Sequence, residues 1–175
     1  MDHCGAVRIL RVATAVALTC VASLTTGCGN WVTTDINGRV GVTVDAAGAP
    51  VILVEVCHGV VTEVYTVAGS RGRARTLRAT TPRAASFSLD VSAPGPGWRG
   101  DPLQLPLGSG LTSVVASGGS RADSEAGQVD FTAADLAELT PATVQYDGRV
   151  PDSDDPADYG KVTVPMDRFH KLACG

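Results

Sequence analysis

Lysine is nearly missing from this 175-residue chain: only Lys161 and Lys171 are present. Basic side chains number 14 against 18 acidic ones, a formal charge of −4. A protein that grips nucleic acid needs a basic footprint to displace counterions from the phosphates, and this charge argues against general nucleic-acid binding. No apolar stretch reaches the roughly twenty residues that a membrane-crossing helix needs. Catalytic signatures are missing too. There is no glycine-rich phosphate loop, no HExxH, no paired-cysteine zinc spacing and no G-x-S-x-G. After the first thirty residues the only histidines are His58 and His170. Neither lies in a recognisable motif, and no cofactor or metal is expected.

What the chain does have begins at its start. Arg8 and Arg11 sit in a short leader and are the only basic side chains before Arg39. An uncharged segment follows, Val12 to Thr26, too short for a comfortable span. A basic start, an apolar middle and small residues at the end are the marks of a secretory signal peptide. The small residues Thr25, Thr26 and Gly27 lead directly into Cys28. This resembles the lipobox of bacterial lipoproteins, an apolar-small-small-Cys motif. That family usually has Leu three positions before the cysteine; here Thr25 stands there and Leu24 lies one step earlier. The resemblance implies cleavage between Gly27 and Cys28 and a diacylglyceryl group on the Cys28 thiol, with further acylation (such as palmitate) at the new amino terminus. Two or more acyl chains hold a protein stably on a bilayer where one holds it marginally. The expected organisation is residues 1–27 as signal peptide, 28–38 as lipidated cysteine and tether, and 39–175 as the domain. Within the tether, Trp31 suits either the lipid–water interface or the domain's edge. The rest of the chain carries no signature of a named family, and its wealth of Arg, Ala and Gly resembles the bias of high-GC, actinobacterial genomes.

The resemblance also settles a count. Of five cysteines, Cys4 and Cys20 leave with the signal, and Cys28 is consumed as a thioether. Cys57 and Cys174 remain, and the oxidising compartment reached by export favours a disulfide between them. They lie 117 positions apart. The competing assignment, a thiol nucleophile at Cys57 with His58 as base, puts two adjacent strand residues on opposite faces; His170 is the other candidate base.

Removing residues 1–27 leaves 12 basic and 17 acidic side chains, a net charge of about −5. The charge is segregated. Arg71, Arg73, Arg75, Arg78 and Arg83 crowd one stretch, while no acid falls between Glu63 and Asp90. Asp152, Asp154, Asp155 and Asp158 crowd another. Both read as solvated loops. The sharper alternatives are docking of the arginines on anionic head groups or wall polymer and Ca²⁺ held by the aspartates, which lack EF-hand spacing. Arg99-Gly100-Asp101 spells a tripeptide that some adhesins show to integrins, and reads here as an ordinary Pro/Gly turn.

Alternation predicts an all-β fold. Val40, Val42 and Val44 alternate with small or polar residues. Val51–Val56 suits a central strand, and Val60–Val67 follows a turn at His58 and Gly59. Phe87, Leu89 and Val91 point one way, Ser86, Ser88, Asp90 and Ser92 the other. Leu103–Leu107 is demoted to an edge by Pro106. Leu111–Ala116, Gln128–Phe131, Thr143–Tyr146 and Lys161–Val164 complete the set, with Ala116–Gly127 as a flexible loop. One short helix is predicted after Thr132, which can cap it, with Asp135 three residues on and Pro141 as the stop. The expected architecture is a single immunoglobulin/fibronectin-like β-sandwich of about 7–9 short strands with one short helix, preceded by a signal-peptide helix. The antibody-type Cys…Trp…Cys arrangement is absent.

These features lead to an expected function: a non-enzymatic binding or interaction module, lipid-anchored on the outer face of the cytoplasmic membrane, meeting an envelope protein, a wall polymer or a small ligand. The alternatives are a small envelope enzyme around His58, His170 and the aspartate cluster, and a structural accessory subunit of an envelope complex.

Overall fold

The alternating valines form the inner face of one sheet. β2 (Gly38–Val44) buries Val40, Val42 and Val44. β3 (Pro50–Val56) sets Ile52 opposite Val42 and Val54 opposite Val40. Asp45 makes the turn between them, its carboxylate accepting the N–H groups of Ala47 and Ala49, both at 2.8 Å. The computed structural model describes residues 35–36, 38–68, 75–103, 105, 110–118, 124–155 and 157–174. The signal peptide, the cleavage site at Gly27 and Cys28, Trp31, and Arg71 and Arg73 lie outside these residues.

Eleven strands and two helices are present among the described residues. Besides β2 and β3 they are β1 (Asp35–Ile36), β4 (Val61–Ala68), β5 (Arg75–Arg83), β6 (Phe87–Asp90), β7 (Trp98–Arg99), β8 (Thr112–Ser117), β9 (Ser124–Phe131), α1 (Ala133–Glu138), β10 (Thr143–Arg149), β11 (Tyr159–Pro165) and α2 (Met166–Ala173). One sheet has the order β1-β9-β8-β4-β5-β7 and the other β11-β10-β2-β3-β6. Every pairing is antiparallel except β1 on β9. The fold is an all-β sandwich. Its interior joins Val40, Val42, Ile52 and Val54 of one sheet to Val64, Leu77, Val114, Val129 and Phe131 of the other. Fully burying a side chain of this size contributes about 1.5–3 kcal/mol.

The expected features are largely present. Leu89 and Val91 are buried and Phe87 packs beside them, while Ser86, Ser88, Asp90 and Ser92 face water. Thr132 caps α1 in a complete capping box with Asp135. No residue of that helix is fully buried, although Leu136 packs against the core and Leu139, just beyond, is buried. Two of the eleven strands, β1 and β7, are two residues long. Three stretches differ from expectation. The arginine run is not all loop, because β5 extends through it, with Leu77 buried between β4 and β7. The sequence hid this strand because its outward positions are Arg and Thr, which match a solvated loop in composition. Trp98 and Arg99, at the start of the stretch read as a Pro/Gly turn, form β7 instead, and Trp98 stacks at an angle on Phe87 with ring centres 5.4 Å apart. The end of the Ala116–Gly127 loop belongs to β9, which starts at Ser124. In the expected edge segment, Leu103 is buried and Leu105 packs on the core; residues 104 and 106–109 are outside the described set.

A second, smaller core lies on the outer face of the β2–β3–β10–β11 sheet. Leu53, Val144, Tyr146, Val162 and Val164 form a floor, and α2 lays Phe169 onto it. Gly41 makes the approach possible: a Cβ there would stand 2.5 Å from Val144 Cγ1 and 3.0 Å from Phe169 Cζ. This C-terminal helix was not predicted. It is only eight residues long and begins after Pro165 with no side-chain cap, so neither length nor capping announced it. The expected disulfide Cys57–Cys174 closes just beyond it, joining the end of β3 to the end of α2 with Cα atoms 5.4 Å apart.

Candidate functional site

A groove of about 790 Å³ lies between β10 and β11 of one sheet and β9 of the other. Gly38, Gly127, Gly148 and Gly160 line it, and Gly160 has open space where a side chain would stand. Gly148 and Gly160 are directly opposed across β10 and β11. Gly148 cannot carry a side chain, since a Cβ would meet the Tyr146 ring at 2.6 Å and Arg39 Nη1 at 2.7 Å. Arg39 in turn sits over the Tyr146 ring, its Cζ 4.7 Å from the centroid. Burial raises the Tyr146 phenol above its ordinary pKa, with Arg39 and Arg168 opposing the shift.

The polar groups at the groove have definite partners. Asp147 accepts the backbone N–H of Asp130 at 2.6 Å, and Gln145 Nε2 donates to the Asp130 carbonyl at 3.1 Å. Two side chains of one sheet thus take the place of a neighbouring strand for one residue of the other. Burial raises the Asp147 carboxyl above its ordinary value; the Asp130 N–H opposes this, and the Asp130 carboxylate adds to it. Lys161 crosses to Asp135 of α1 at 2.6 Å. At the rim, Leu111 and Tyr159 are exposed, Tyr159 at 68 %. Val150, next to the lining residue Arg149, is exposed as well. Among the described residues only four large apolar side chains are exposed, and two of them, Leu111 and Tyr159, line this groove.

The residues singled out as a potential enzyme site are arranged otherwise. His58 is exposed in the turn after β3. His170 Nδ1 bonds Glu55 Oε1, and Ser86 Oγ donates to Glu55 Oε2 at 2.5 Å. The order is serine–carboxylate–imidazole. A nucleophilic serine needs the imidazole beside it to take its proton, and here the carboxylate stands between them. Cys57 is in the disulfide. The aspartates engage separate partners. Asp152 pairs with Arg168 at 2.5 Å, Asp155 accepts the Ala157 N–H at 2.8 Å, and Asp158 accepts from Ser153 Oγ. Among the described residues no three His, Cys, Asp or Glu side chains are grouped to hold a metal ion.

Set against protein-family models, curated proteins and solved structures, the chain matches none. The groove was not foreseen from the sequence. Its parts come from four separate strands, and glycines spread along four strands form no motif. The only local signal was Tyr159-Gly160, an aromatic beside a glycine at the start of a strand.

Proposed function

We propose that this protein is a lipid-anchored, non-enzymatic binding module on the outer face of the cytoplasmic membrane, and that the glycine-lined groove docks a segment of another envelope protein. The exposure of Leu111 and Tyr159 at the groove carries this reading. Clustered exposed apolar side chains rimmed by polar ones mark interaction surfaces, whereas scattered ones do not. Gly160, with open space where a side chain would stand, lets a partner's main chain come close. The lipobox-like run ending in Cys28 supports the anchor, and the disulfide is in keeping with an oxidising compartment.

The test is site-specific photo-crosslinking in whole cells, with the reactive residue at Tyr159 or, as a control, at Ser88 on the distant strand β6. A discrete adduct from position 159 and none from 88 is the expected result. Equal adducts, or none from 159, would refute docking at the groove. The anchor has its own measurement: Cys28→Ala should abolish lipid labelling and release the protein from membranes, and unchanged retention would refute it.

A further inference from the structure

On the opposite flank of the same sheet, β7 pairs with β5 and sets Arg99 directly across from Arg78. Like charges facing each other on neighbouring strands destabilise a sheet. Little relieves this pair. Arg78 Nε reaches Glu63 at 3.7 Å with its side chain 76 % exposed, and an ion pair so placed is worth little. Arg99 is exposed and has no ion-pair partner among the described residues. The two guanidinium-bearing side chains border a shallow recess of about 620 Å³ that Thr76 and Thr80 also line. Thr76, Arg78 and Thr80 share one face of β5 by strand alternation. Gly100, at φ +119, closes the recess against the Thr76 carbonyl, where a Cβ would collide.

We propose that this recess is an oxyanion site that holds a phosphate group between Arg78 and Arg99, with the Thr76 hydroxyl as a further donor. The paired guanidinium forks suit phosphate oxygens, which they bind bidentately. The anion converts the opposed pair from a repulsive contact into a bridged one. The site is separate from the groove and does not depend on it.

The experiment follows thermal unfolding of the full chain in neutral detergent while inorganic phosphate or glycerophosphoglycerol is added. A ligand that binds only the folded state raises the midpoint with concentration. Saturable stabilisation is expected, with affinity weakened at least about tenfold in Arg99→Ala, a change of about 1.4 kcal/mol. Without ligand, Arg99→Ala should be as stable as the parent or more so, because the repulsion is gone. That outcome separates loss of the site from loss of the fold. Tighter binding of the diester points to a head group or polymer, and tighter binding of inorganic phosphate to the free ion; either supports the site. No stabilisation by either compound, or equal stabilisation of parent and Arg99→Ala, would overturn it.

Discussion

Asp147 accepts the backbone N–H of Asp130 at 2.6 Å, and this one bond ties the border of one sheet to the face of the other. An unpaired strand edge invites another chain to add to it. Here a side chain occupies the donor that such a chain would use.

Replacing Asp147 separates the bond from the charge. Asp147→Ala leaves the Asp130 N–H without its acceptor and should cost about 1–3 kcal/mol. Asp147→Asn keeps an oxygen acceptor and removes a carboxylate whose ionisation is opposed by burial, so it should cost less than the alanine change. Urea unfolding of both variants at neutral pH tests this ordering.

The pH dependence follows from the same group. In the folded state the Asp147 carboxyl is raised, chiefly by burial. The folded state therefore holds the proton more tightly than the unfolded chain. Its contribution to stability is greatest below the ordinary carboxylate pKa and declines as pH rises through the folded value. Asp135 has the opposite sign. Burial pushes it up, but hydrogen bonds from Lys161 and Thr132 outweigh this and leave it lowered. Its contribution is present above the ordinary value and is lost as pH falls through the folded one. Asp147→Asn should therefore flatten the decline on the rising-pH side, and Asp135→Asn the loss at acid pH, as measured by unfolding free energy across pH 3–7.

The capping box should be worth more to α1 than any single contact along it. Thr132→Ala removes the side-chain acceptor for Asp135 N–H, 3.2 Å away, and should cost about 1 kcal/mol. Hydrogen exchange at residues 133–138 should rise more than in the neighbouring strands.

Gly41→Ala tests the second core. The added methyl meets Val144 and Phe169, and overpacking of this kind costs about 1–3 kcal/mol. The strain falls on the seating of α2, so near-ultraviolet circular dichroism from Phe169 and Tyr146 should change while far-ultraviolet strand content holds.

Loss of the disulfide is the largest stability change foreseen. A Cys57→Ser, Cys174→Ser double variant should lose about 2–4 kcal/mol, read as a lowered urea midpoint. The same shift should follow from adding reductant to the parent and be absent when reductant is added to the variant.

Much of the sandwich was legible because its signal is local. The rows Val40-Val42-Val44 and Phe87-Leu89-Val91 declare a strand and its inward face within a few residues. Thr132 and Asp135 declare a helix start in the same way. The partners Cys57 and Cys174 emerged by elimination once Cys28 was assigned to the lipid. β5 stayed hidden because a strand with an Arg/Thr outer face and one buried leucine resembles a loop. The groove stayed hidden because it depends on which strands become neighbours, and no short window contains that information. The facing of Arg78 and Arg99 is of the same kind, a register across 21 positions of sequence.

The disulfide encloses the chain from Cys57 to Cys174, and β2 lies ahead of that covalent loop, hydrogen-bonded between β3 and β10. A pull on the polypeptide from its N-terminal side therefore reaches β2 before it reaches the crosslink. The load is resisted by two ladders of backbone hydrogen bonds and by Val40, Val42 and Val44 in the interior, not by sulfur. Under tension the two-residue β1 leaves β9 first and the central strand β2 follows, while the looped remainder keeps its staple.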